Sequence, residues 1–232
     1  MYRHLILPVL LGFFLIFVCD TAKADLLFED DFEDGSFGNK WDIVIGNWEV
    51  VKVDGNHAAR HIGDSGSETI VIRDMIFDDF IAEMRILHVS DSSGAQMYWR
   101  TNEGPGNAAG NGYIFGENAL DNIIRWYRVA DGSPTIQDKI TDIDITPDTW
   151  TWFKVRIEGS HAQMWYKRED KDEDYILAFE VDDLNEYQEG TIGTWVGGEV
   201  LIDDVRVADL KGFVVEPYSH VEGAWGNIKV MY

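Results

Sequence analysis

From residue 26 to residue 207 the chain is built of short runs in which apolar and polar residues alternate or β-branched residues cluster. Gly, Asp and Asn turns part these runs, and no helix-length window carries an apolar stripe of helical period. A period of two puts one side-chain row on each face of a strand. The pattern predicts strands over 26–32, 48–53, 69–72, 80–89, 96–100, 112–115, 123–129, 151–158, 161–168, 175–181, 191–195 and 200–207. The turn signals between them include Asp54-Gly55, Asp131-Gly132-Ser133-Pro134 and Gly197-Gly198. About a dozen strands without alternating helices predict an all-β, two-sheet antiparallel sandwich. The Gly/Asn-rich stretch 102–112 reads as a flexible surface loop, and the acidic run 169–174 as a solvated turn.

The first residues follow a different rule. A short basic start, an apolar run from Leu5 to Val18 and the ending Ala22-Lys23-Ala24 read as a secretory signal peptide over 1–24. The expectation is export to the periplasm or outside the cell, with no membrane insertion after cleavage. Cleavage removes Cys19, the only cysteine, so the exported sandwich (25–208) holds together without disulfides. Residues 209–232 follow the last predicted strand and read as a C-terminal extension.

Charge narrows the partners. Asp and Glu total 42 against 19 Lys and Arg, a formal net charge of −23. Such a surface repels phosphate backbones, so nucleic acid is excluded as a partner, while neutral polymers and cations stay open.

Several segments carry a family resemblance in their order and spacing. Residues 27–41 (LFEDDFEDGSFGNKW), then Gly46-Asn47-Trp48-Glu49-Val50, are followed by SGAQMYWR at 93–100 and WTWFKVRIEG at 150–159. GTIGTW at 190–195 and VLIDDVRV at 200–207 close the series. Together they resemble the concanavalin A-like lectin/glucanase superfamily, in its laminin-G-like form and near the 3-keto-disaccharide hydrolase-like group. The resemblance implies a jelly roll with one convex and one concave sheet, and sugar ligands on the concave side.

Two terminal acidic clusters raise the question of a metal. Asp30, Asp31, Glu33 and Asp34 lie on the first strand and its turn, and Asp203 and Asp204 on the last. The fold can bring the terminal strands together, and carboxylates from both would make a hard oxygen cage for a structural Ca²⁺. Asp31, Glu33 and Asp203 are the expected ligands. Strand alternation puts Asp203 on the face of Val205 and Val207, where a carboxylate needs a cationic partner.

No catalytic pattern stands out. The laminarinase-type Glu-x-Asp-x-x-Glu motif has its nearest match at residues 29–34, which end in Asp and lie on the first strand. The hydrolase-like "G-Y-E-x-Q" strand is matched by Gly112-Tyr113-Ile114-Phe115-Gly116, without its polar positions. Glu83 and Arg85 share a strand face and read, with Arg100 beside them, as an ion pair without catalytic duty. Flat aromatic rings stack on sugars, and the candidate ligand-binding residues are Tyr98, Arg100, Tyr113, Trp126 and Glu83. Trp126 and Arg128 share one face of their strand and Arg125 and Tyr127 the other; alternation does not say which faces out. Trp48, Trp150, Trp152 and Phe153 read as core. The expected function is an exported, non-catalytic, lectin-like module that binds an oligo- or polysaccharide. A glycoside hydrolase and a laminin-G-like adhesion domain with a protein partner are the alternatives.

Overall fold

The computed structural model describes residues 25–63, 68–104, 108 and 110–211. The signal segment 1–24 and most of the C-terminal extension lie outside them. The described residues form fifteen strands and no helix. They are β1 (Leu26–Asp30), β2 (Trp41–Ile45), β3 (Trp48–Val53), β4 (Asn56–His61), β5 (Glu68–Ile72), β6 (Phe80–His88), β7 (Gly94–Thr101) and β8 (Gly112–Asn118). The rest are β9 (Ile123–Ala130), β10 (Ser133–Ile140), β11 (Trp150–Glu158), β12 (His161–Arg168), β13 (Ile176–Val181), β14 (Thr191–Gly197) and β15 (Val200–Ala208).

Two antiparallel sheets face each other. The first runs β13-β12-β11-β6-β15-β4-β3, with β1 paired to β15; the second runs β10-β9-β8-β7-β14-β5-β2. This is the all-β sandwich that the alternation predicts. Every predicted strand forms, and three more appear. β10 is exposed along almost its whole length and begins Ser-Pro, so it has no buried face to leave an apolar period. β4 reads NHAARH, and its partners β3 and β15 rather than its own residues make it a strand. β2 is the edge strand beyond β5.

The inward rows of both sheets make one core. Phe80, Met84 and Ile86 of β6, with Phe153, Val155 and Ile157 of β11, meet Met97 and Trp99 of β7 and Phe115 of β8. Phe115 packs edge-on to Phe153 at 5.4 Å and to Phe179 at 6.0 Å, joining the sheets at their centre. Each such ring contributes roughly 1.5–3 kcal/mol by leaving water.

The N-terminal acids show what one buried carboxylate needs. Asp30 is 3% exposed and accepts from Trp41 Nε1 at 2.7 Å, Lys40 Nζ at 2.9 Å and Phe32 N at 3.3 Å. It ties β1 in the first sheet to β2 in the second and belongs to the fold.

Candidate carbohydrate-binding faces

The outer face of the second sheet carries an apolar floor. Strand alternation sends Ala95, Met97 and Trp99 inward and Gln96 and Tyr98 outward on β7. Tyr98, Ile114, Tyr127 and Val129 pack together there, against the partly exposed Trp195 of β14. The Tyr98 and Trp195 rings lie 5.9 Å apart, tilted by 40°. Arg125 lies over the Tyr127 ring at 4.9 Å and faces Asp121 at 3.7 Å. Glu103, from the loop after β7, closes one side. It is buried beside Thr69, Tyr98 and the backbone of Gly110, and burial pushes its carboxyl above the usual range. The described part of the 102–112 stretch is stitched to its surroundings rather than loose. Asn111 N donates to Asn102 Oδ1 at 2.7 Å, and Gly132 N to the Gly110 carbonyl at 2.9 Å.

The surface residues expected from the sequence are all buried. Tyr98 is in the outer floor but wholly buried, and beside it Trp195 and Arg125 are partly exposed. Tyr113 is 2% exposed; its ring stacks by Trp99 and its hydroxyl accepts from the amides of Glu186 and Tyr187, both at 3.2 Å. Arg100 sits on a bulge opposite Thr191 and Ile192, with φ +48°, which throws it off the strand face. It donates to the Asp78 carbonyl at 2.8 Å and the Tyr187 carbonyl at 3.2 Å. Arg100 and Tyr113 therefore brace two loops and are not free for a ligand. Trp126 joins the core, which puts Arg125 and Tyr127 on the outer face. The sequence reading left Arg125 and Tyr127 open and missed Trp195 and Glu103. Trp195 closed a recognised strand and was not weighed as a ligand contact, and Glu103 lay in a segment read only as a loop.

The outer face of the first sheet is charged and aromatic together. Trp150, Trp152, Lys154 and Arg156 alternate outward on β11, each partly exposed, between the buried Thr151, Phe153, Val155 and Ile157. Trp150 and Trp152 are thus outer-face rings; Trp48 and Phe153 are buried. Glu83 is 0% exposed and meets Arg206 at 3.0 Å and Lys154 at 3.5 Å. It pairs with these two and not with Arg85, and Arg100 lies in the other sheet. Arg85 instead meets Asp203 at 2.5 Å, Asp204 at 2.7 Å and Glu169 at 3.6 Å.

A bulge in β15 makes that arrangement possible. Asp203 pairs with Arg85 and Arg206 with Glu83, so β15 spends one more residue than β6 over the same span. Asp204 takes up the surplus at φ +50°. Strict alternation would separate Asp203 from Asp204, yet both reach one guanidinium. Burial and the neighbouring Asp204 push the Asp203 carboxyl up to about 7, against the pull of Arg85.

These contacts also decide the metal question. Glu33 turns away to His57, accepting from its amide at 2.7 Å. Asp31 is exposed and accepts from Glu33 N at 3.2 Å. The cation that Asp203 requires is Arg85. The expected Ca²⁺ set of Asp31, Glu33 and Asp203 is not brought together, and among the described residues no group of three or more metal-ligating side chains is placed to hold an ion. As placed among the described residues, Asp31, Glu33 and Asp203 do not fit a calcium site.

One further cluster looks catalytic and is not. His88 Nδ1 lies 2.6 Å from Ser93 Oγ and His88 Nε2 lies 3.0 Å from Glu117 Oε1. All three residues are buried, and Ser93 Oγ donates to the Ser90 carbonyl at 2.7 Å. The serine is neither exposed nor free to attack. Since β6 and β8 belong to different sheets, the His88–Glu117 contact is a polar tie across the sandwich.

No family model and no curated protein matches the chain. Solved structures do. The carbohydrate-binding module CBM66 from Bacillus subtilis aligns with a TM-score of 0.58 at 18% identity, over 72% of this chain and 94% of that one. A Bacillus subtilis protein of unknown function with a galectin-like fold aligns at 0.61 and 11%, over 81% and 98%. The exoplasmic/lumenal domain of VIP36, bound to Ca²⁺ and Man3GlcNAc, aligns at 0.57 and 14%, over 77% and 90%. The fold is a lectin-like β-sandwich. At these identities the likeness concerns the fold alone.

Proposed function

We propose that this chain is an exported sugar-binding sandwich without catalytic activity, and that its ligand meets the outer face of the second sheet. The observation that carries the reading is the partly exposed Trp195 ring against an apolar floor of Tyr98, Ile114, Tyr127 and Val129, with the partly exposed Arg125 beside it. A sugar ring offers an apolar face to an aromatic ring and hydroxyls to the polar rim. Glycoside hydrolysis needs two carboxyl groups flanking one bond. On this face Glu103 is buried and Asp121 is exposed beside Arg125, an unsuited pair. On the other sheet Glu83, Asp203 and Asp204 are buried and each meets a cation. Export rests on the basic start, apolar run and Ala-x-Ala ending of residues 1–24. The structures that share the fold, a carbohydrate-binding module and a glycan-bound lectin domain among them, support sugar as the ligand class.

The test is titration calorimetry of the exported protein with neutral gluco-, manno- and galacto-oligosaccharides, alongside assays for their hydrolysis. Binding without turnover, weakened at least tenfold by Trp195→Ala, is expected. Turnover of any of them, or binding untouched by Trp195→Ala, overturns the reading.

A further inference from the structure

The outer face of the first sheet holds its aromatic rings in an order that strand register explains. Lys167, Trp152, Arg85 and Asp203 lie side by side across β12, β11, β6 and β15. One step along the strands, Trp165, Lys154, Glu83 and Arg206 form a second row. One step the other way, Trp150 lies beside Leu87 and Leu201. Successive rows are about 6.6 Å apart and neighbouring strands about 4.8 Å. Trp150 and Trp152 therefore follow one another along β11, and Trp165 stands one row further on the neighbouring β12, a line of three rings whose length suits a few linked sugar rings.

Each ring is set by a cation. Arg85 lies 4.6 Å from the Trp150 centroid and Arg206 5.8 Å from that of Trp152. Lys154 lies 5.8 Å from that of Trp165 and 5.3 Å from that of Tyr175. Each cation is fixed in turn by the buried carboxylates of Glu83, Asp203 or Asp204, and Trp152 Nε1 donates to Glu169 at 2.7 Å. Buried ion pairs are an expensive way to stabilise a sheet, and apolar residues of similar size do it as well or better. What this network supplies is fixed ring orientation, the preorganisation that a stacking platform needs. The three tryptophans nevertheless stay partly exposed.

We propose that this line of Trp150, Trp152 and Trp165 is a second carbohydrate-contact surface, on the side of the sandwich opposite the first, and that it takes neutral glycan chains. The proposal rests on the sugar-binding reading. Charge selects the ligand class. The three cations beside the rings are already matched to Glu83, Asp203, Asp204 and Glu169, and the chain carries −23, so an anionic polymer meets a repelling surface. With a face on each side, one molecule joins two glycan chains, and avidity on a polymer exceeds either affinity.

The test uses the exported protein and the same neutral oligosaccharides, with titration stoichiometry as the readout. Two sites per chain are expected. Trp195→Ala should leave one, and Trp152→Ala with Trp165→Ala should leave the other, at least tenfold weaker overall. Trp152→Tyr with Trp165→Tyr, which keeps flat rings, should restore binding and serves if the alanine pair does not fold. The wild type should cross-link a long neutral polysaccharide into turbid suspension, and either single-face variant should not. One site per chain that Trp195→Ala abolishes, with the tyrosine pair and wild type alike unable to cross-link, overturns the second surface and leaves the first reading standing. No binding of any neutral glycan by the wild type overturns both.

Discussion

The two outer faces of this sandwich place aromatic rings by opposite means. On the second sheet Tyr98, Ile114, Tyr127 and Val129 pack on one another, and apolar contact holds most of the ring surface, with Arg125 over Tyr127 at its edge. On the first sheet Trp150, Trp152 and Trp165 lie over guanidinium and ammonium groups that buried carboxylates anchor. Apolar contact is non-directional and tolerant of substitution, whereas a buried charge demands a partner at a fixed distance. The first face should therefore be the more brittle of the two, and the more sensitive to pH.

The largest effect is expected at Glu83. Glu83→Ala leaves Arg206 and Lys154 without the carboxylate both of them meet and should cost about 3–5 kcal/mol in urea denaturation. A cost similar to that of Ile114→Val on the other face, roughly 1 kcal/mol, would erase the contrast.

Asp203 sharpens it through pH. Burial and the neighbouring Asp204 push its carboxyl up to about 7 in the fold, well above the usual carboxylate range, so the folded state holds the proton more tightly. Its contribution is fully present below about 4, declines as the unfolded chain ionises first, and is lost above about 7. Asp203→Asn keeps an acceptor for Arg85 and removes this dependence. It should be nearly neutral at pH 4 and stabilising by on the order of 2 kcal/mol at pH 8, read from melting curves across that range. Equal effects at both pH values would show that Asp203 is not the group that titrates.

Trp195→Ala probes the apolar face at its exposed edge. Its stability cost should stay within about 1 kcal/mol, because the ring is only partly buried, while sugar affinity falls. The smallest effect concerns metal. With Arg85 as the cation beside Asp203, EDTA should leave the melting temperature of the protein unmoved; a clear drop would restore the calcium site.

The sequence by itself determined the strands that bury one face. β3 and β12 run between the residues that alternation predicts, since the period of two is a property of the local backbone. It determined the two-sheet architecture too, because half-apolar strands without helices have only one another to pack against. The tertiary structure decided the rest. β10 has no apolar period because neighbours lie on one edge only and its faces meet water. Arg100 and Asp204 leave their strand faces at bulges, which depend on the register of partner strands and not on neighbours in sequence. Which of Trp126 and Tyr127 faces out, and the meeting of Asp203 with Arg85, were likewise decided by residues far along the chain. Arg85 and Asp203 are 118 positions apart, and only the pairing of β6 with β15 brings the cation to the carboxylate.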